Sequence, residues 1–165
     1  MAKSPTSILG HWSILIEGLQ ASPMEFYTQI EAALEQRKIP DIKRSRVDWR
    51  EGGILSAKRE YLRVTRREHI LDICGAPFGT GFFVSWWLGE HRGCLGAIAD
   101  IPFLGSVVSI AVRPVTYYQV DTANMFRTAV DSAVQEVIEH ATKAKGLRQL
   151  TADERKPIMR DFLKM

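Results

Sequence analysis

Phe82-Phe83-Val84-Ser85-Trp86-Trp87-Leu88 is apolar on both faces of any strand it forms. Such a strand belongs in the middle of a sheet or under cover on both sides. The residues before it supply its neighbours. Ile70 to Cys74 makes a strand, and Gly75-Ala76-Pro77-Phe78-Gly79-Thr80-Gly81 reads as the hairpin loop between the two. Arg66-Arg67-Glu68-His69 is a turn. Ile54 to Arg66 alternates, with Leu62 and Val64 on one face and Tyr61, Arg63 and Thr65 on the other. Arg50-Glu51-Gly52-Gly53 turns once more, its glycines supplying positive φ. Before it, Lys43, Ser45, Val47 and Trp49 share one face of a strand. An antiparallel four-stranded meander is therefore expected over 43–88.

Helices flank this meander. Ser22-Pro23-Met24-Glu25 has the form of a capping box with proline at the first helical position. Phe26, Tyr27, Ile30, Ala33 and Leu34 follow at helical spacing, and Ile39-Pro40 stops the run. After the meander, Thr116 to Val120 reads as a strand or extended approach, and Asp121 as the cap of a long helix. Phe126, Val130, Ala133, Val134, Val137, Ile138 and Ala141 form the apolar stripe of that helix. Lys143, Lys145 and Gly146 end it. Thr151-Ala152-Asp153-Glu154 is a second capping-box sequence. A turn and a short terminal helix docked by Ile158, Met159, Phe162 and Leu163 are expected beyond it. Runs of strands between runs of helices predict an α+β fold: N-terminal helix, meander, apolar segment, long helix, short helix. Residues 22–165 form the expected single domain. Residues 1–21 read as a leader or variable N-terminus.

The chain has 165 residues, 45% hydrophobic and 25% charged, which is ordinary globular composition for one domain. A net charge of +3 is too mild to argue for nucleic acid by itself. The first twenty residues hold a short apolar run broken by His11, Glu17 and Gly18, which makes a poor secretory signal, so a cytoplasmic place is expected. The two cysteines, Cys74 and Cys94, form no C-x-x-C and no Cys/His cluster of metal spacing. They read as reduced, small apolar residues, and neither a metal nor a cofactor is expected.

Four features bear on function. Residues 93–112 carry a single charge, Asp100, and follow Trp86 and Trp87. Ile101, Phe103 and Leu104 are the bulky members of that segment. Three glycines, two serines and Pro102 make it a modest membrane span, so internal core, a membrane contact or a subunit interface are the readings it supports. The 43–67 stretch is rich in arginine and lysine, and Arg59, Tyr61 and Arg63 share a strand face that could stack bases and bind phosphates. A solvated sheet face looks the same. The glycine-rich 75–81 loop lacks a following helix N-terminus and a Walker lysine, which leaves it a hairpin loop. His91 and Cys94 stand close in sequence, as a nucleophile and its base would.

Helix, four-strand meander and then a cysteine also resembles the coarse order of a ubiquitin-conjugating enzyme, which would make Cys94 the nucleophile. The His-Pro-Asn tripeptide of that family is missing, and the apolar setting of Cys94 would raise its pKa. A closer resemblance is carried by Glu51-Gly-Gly-Ile-Leu-Ser-Ala-Lys-Arg-Glu-Tyr-Leu-Arg-Val64, by Asp72-Ile-Cys-Gly-Ala-Pro-Phe-Gly-Thr-Gly-Phe-Phe-Val-Ser-Trp-Trp87 and by Thr116-Tyr-Tyr-Gln-Val-Asp-Thr-Ala-Asn-Met-Phe126. Lys145-Gly-Leu-Arg148 and Glu154-Arg-Lys-Pro-Ile-Met-Arg-Asp-Phe162 add to it. These strings resemble an uncharacterised group of bacterial proteins over about residues 24–164, and the resemblance implies no activity. The expected function is a non-enzymatic binding or assembly domain. Its partner would be a protein, a second copy or a membrane surface at which the cytoplasmic chain sits peripherally. A Cys94-dependent enzyme and nucleic-acid binding through the basic meander are the alternatives.

Overall fold

Alternation of apolar and polar residues turns one face of each strand inward, and six strands share that inward face. The computed structural model describes residues 5, 7–50, 58–91 and 116–159. Its elements, in chain order, are β1 (Ser7–Glu17), α1 (Pro23–Gln36), β2 (Lys43–Arg50), β3 (Lys58–Arg66), β4 (His69–Phe78), β5 (Gly81–Glu90), α2 (Tyr117–Ala144) and β6 (Ile158–Met159). The sheet runs β2-β3-β4-β5-β1-β6, every neighbouring pair antiparallel. The class is α+β, with the long C-terminal helix in place. The meander over β2 to β5 is there, but the sheet is wider than four strands.

The largest difference is at the N-terminus. Ser7–Glu17, read as part of a leader, is β1 and pairs with β5 along nearly its whole length. Trp12, Ile14 and Ile16 stand opposite Trp86, Val84 and Phe82 and join the core. A bulge between Ile8 and Gly10 lets Leu9 turn inward as well. β5, apolar on both faces, is thus central, as its composition requires. At the far end, Ile158–Met159 pairs with His11 and Gly10 as β6 instead of starting a helix. Gly10 permits this, since a Cβ there would lie 2.6 Å from the Met159 sulfur. Phe162 and Leu163 lie outside the described residues, as do 51–57, where the Glu51-Gly52-Gly53 turn and the start of the expected Ile54 strand fall.

Both helices cover the inward face. α1 buries Phe26, Tyr27, Ile30, Ala33 and Leu34, all at the expected spacing. Ser22 is its N-cap, yet its hydroxyl makes no cap hydrogen bond; its carbonyl accepts from the Phe26 amide at 2.9 Å. In α2, Phe126, Val130, Ala133, Val134, Val137 and Ile138 are buried, so the stripe read from the sequence faces the strands. The helix starts earlier than expected. Thr116 is the N-cap, and its hydroxyl accepts from the Gln119 amide while the Gln119 side chain accepts from the Thr116 amide. This capping box overrides the strand propensity of Tyr117, Tyr118 and Val120, and Asp121 lies inside the helix. Thr151 and Glu154 make the same reciprocal bonds at 3.2 and 2.8 Å, but around a single turn, because Pro157 follows.

The β4–β5 connection is tighter than the 75–81 loop expected for it. β4 continues to Phe78, and Gly79 at φ 58° with Thr80 closes a two-residue turn. Gly75 is therefore a strand residue, and its need is space. An added Cβ would lie 2.6 Å from the Phe26 ring. The Gly75 amide donates to the Tyr27 hydroxyl at 3.0 Å, and that hydroxyl donates to the Glu60 carbonyl at 2.8 Å. Burial pushes the Tyr27 phenol up to about 12. Gly75→Ala should push α1 off the sheet at this point and cost about 1–3 kcal/mol. Denaturant unfolding followed by tryptophan fluorescence would read it, and an unchanged midpoint would contradict this packing.

Candidate interaction surface

No described element packs on the sheet face away from the helices, the free face, although Ile70, Cys74 and Ser85 at its middle are buried; cross-strand pairing sorts its side chains into rows. Arg63, Asp72, Trp87, His11 and Ile158 make one row; Phe83 and Leu15 make another; Ile8 stands opposite Gly89. Trp87 is 40% exposed, Leu15 41%, Ile8 42%, Ile158 65% and Phe78, at the hairpin end, 68%. Single exposed apolar residues need no explanation, but five on one face form a patch. His11 stacks on Trp87 with ring centroids 4.7 Å apart, holding the indole flat on the sheet. Pro5 closes one margin of the patch, since a Cβ on Gly89 would run into its ring.

The period of a strand separates the two tryptophans of the sequence reading. Trp86 points into the core, is fully buried, and donates its indole N–H to Asp131 at 2.9 Å. Only Trp87 reaches the free face. Ile101, Phe103, Leu104 and Cys94 lie outside the described residues.

Arg59, Tyr61 and Arg63 share the free face as expected, but not as three available groups. Arg63 is buried, donates from Nε and a terminal nitrogen to both Asp72 oxygens at 2.7 Å, and stands 5.5 Å over the Trp49 ring. Tyr61 is half-buried, and Arg59 is exposed. Cys74 lies beside them, fully buried, and burial pushes its thiol above the ordinary range. His91, half-buried at the end of β5, donates its amide to the Glu68 carbonyl at 2.7 Å. His69 is buried beside Phe126, and burial pushes its imidazole below the ordinary range against the pull of Glu68.

Two other regions offer less. A groove of about 610 Å³ between α1 and the end of α2 has Phe26, Ala33 and Val137 on its floor and Glu25, His140 and Lys145 at its rim. It is open to solvent and lacks the few convergent buried polar groups that orient a small ligand. Tyr117, Tyr118 and Met125 are exposed at the start of α2. Among the described residues, no three His, Cys, Asp or Glu side chains could hold a metal ion, and no helix is long and apolar enough to cross a membrane.

The face was hidden from sequence reasoning because β1 was left out of the domain. The signal was there: Trp12, Ile14 and Ile16 alternate with His11, Ser13, Leu15 and Glu17 at the strand period. Compared with protein-family models, with curated proteins and with solved structures, the chain matches none.

Proposed function

We propose that the protein is a non-enzymatic assembly domain that pairs with a second copy of itself through the apolar half of its free sheet face. The observation that carries this reading is the patch of Ile8, Leu15, Phe78, Trp87 and Ile158 on β1, β4, β5 and β6. Beside it β1 presents His11, Ser13 and Glu17, so two copies can oppose this strand with little like-charge repulsion. An anionic lipid surface would be met by lysines and arginines around the patch, and β1 and β5 carry none. Sheet-on-sheet packing is the natural geometry for such a face.

The magnitudes place the pairing in a weak, concentration-dependent class. Fully burying a large apolar side chain contributes about 1.5–3 kcal/mol, so five that are roughly half-exposed contribute about 4–7 kcal/mol. Association costs about 4 kcal/mol or more before any gain shows. Trp87 is the anchor, being large, rigid and held by His11. Trp87→Ser should weaken dimerisation at least about tenfold while moving the melting temperature by only a few degrees. Sedimentation velocity over a concentration series checks this. A variant that dimerises as well as the parent chain removes the reading, and flotation of the parent chain with uncharged vesicles would assign the patch to lipid instead.

A further inference from the structure

β2 is the outermost strand on the side of the sheet away from β6, and among the described residues no strand pairs with its far edge. Its pairing with β3 runs without a bulge from Lys43 opposite Thr65 to Arg50 opposite Lys58. The far edge is therefore a straight row of backbone donors and acceptors, the template on which an extended segment adds as a strand. We infer that this edge binds, as a seventh strand, an extended peptide segment of a partner protein that carries β-branched residues toward one end and acidic residues toward the other.

The two faces of β2 set that pattern. On the helix side, Arg44 reaches the Glu31 carbonyl at 2.9 Å and the Glu35 carboxylate at 3.7 Å. Arg46 reaches the Glu31 carboxylate at 3.0 Å and lies 4.6 Å over the Tyr27 ring. Both guanidiniums are thus held in place while about a third of each side chain stays exposed. Each has five N–H donors, so a second carboxylate can be accepted from the open side. On the other face stand Val47, buried, and Trp49, half-buried beside Arg63. A strand laid along this edge places alternate side chains next to these two sets. Acids fit opposite Arg44 and Arg46, and β-branched residues fit opposite Val47 and Trp49.

A second copy of β2 does not fit as well. The antiparallel register that brings Arg46 opposite Asp48 of the other copy also brings Arg44 opposite Arg50, and the next register brings Arg46 opposite itself. Nor does this inference depend on the apolar patch, which lies on the free face of strands at the opposite side of the sheet. Trp87→Ser should leave it unchanged.

Fluorescence anisotropy with the full chain and a labelled peptide of sequence Val-Thr-Val-Glu-Thr-Glu-Glu tests it. The peptide should bind, and replacing its glutamates by lysine should weaken binding at least about tenfold. Methylating alternate backbone nitrogens on the bonding edge keeps every charge and should weaken binding as much. Arg44→Gln, at an exposed position, should weaken it about threefold or more without lowering the melting temperature. Absence of binding overturns the inference. So does equal binding of the methylated peptide, which would show attraction by charge alone.

Discussion

Asp72→Ala is expected to destabilise the chain by about 2–4 kcal/mol, because it removes the carboxylate that accepts two hydrogen bonds from the buried Arg63 guanidinium. Arg63 and Asp72 face each other across β3 and β4, both buried, with two hydrogen bonds of 2.7 Å between them. The pair itself contributes far less than its rupture costs, since both ions had to leave water to make it. A double replacement, Arg63→Met with Asp72→Leu, should therefore recover most of the loss. Typical domain stabilities are about 5–15 kcal/mol, so the single variant should melt many degrees lower, and the double variant close to the parent chain. Calorimetry distinguishes them. A single variant as stable as the double would mean that the guanidinium does not depend on the Asp72 carboxylate, and would contradict the role given to this pair.

The second large effect is at Trp86. Its ring is fully buried between sheet and α2, so Trp86→Ala should cost about 3–5 kcal/mol. Trp86→Phe is more informative. It keeps most of the ring volume but removes the N–H that Asp131 accepts at 2.9 Å. Asp131 is only partly compensated. Burial pushes its carboxyl above the ordinary range, against the hydrogen bonds from Trp86 and Gln135 and the charge of Arg127. A carboxyl raised in the folded state binds its proton more tightly there than in the unfolded chain. Its contribution is therefore most favourable at low pH and is lost as pH rises from the unfolded value through the raised folded one. Removing the indole donor raises the carboxyl further. Hence the loss in Trp86→Phe should be smaller near about pH 4 than near about pH 7, and Asp131→Asn should abolish that difference. A pH-independent loss would mean that the indole bond does not govern the carboxyl.

Much of this architecture was legible from residue spacing. Leu62 and Val64 announced an inward face of β3, the Phe126–Ile138 stripe announced the face of α2, and the apolar run at Phe82–Leu88 announced a central strand. What escaped depended on partners distant in the chain. β1 looked like a broken apolar run because His11 and Glu17 interrupt it, yet those interruptions are its outward face. Gly75 read as a loop residue, whereas Phe26 of α1 requires its missing side chain. The turn at 151–155 carries the full capping sequence, and only the pairing of Ile158 with His11 decides that no helix follows. The interaction surface was legible in half. Trp87 was singled out, and its difference from Trp86 follows from strand period alone. Leu15, Ile8 and the stacked His11 were not, because they enter only once β1 lies beside β5. Arg63 kept its face but lost its availability to Asp72, a partner that no spacing within β3 reveals.

The assembly reading rests on the free face of the sheet, and the mass of the native chain in solution tests it most directly. Light scattering on material eluting from a sizing column, loaded over a range of concentrations without detergent, should give a mass that rises from 18.6 kDa toward twice that value. A mass that stays at one chain across the whole range would contradict the account.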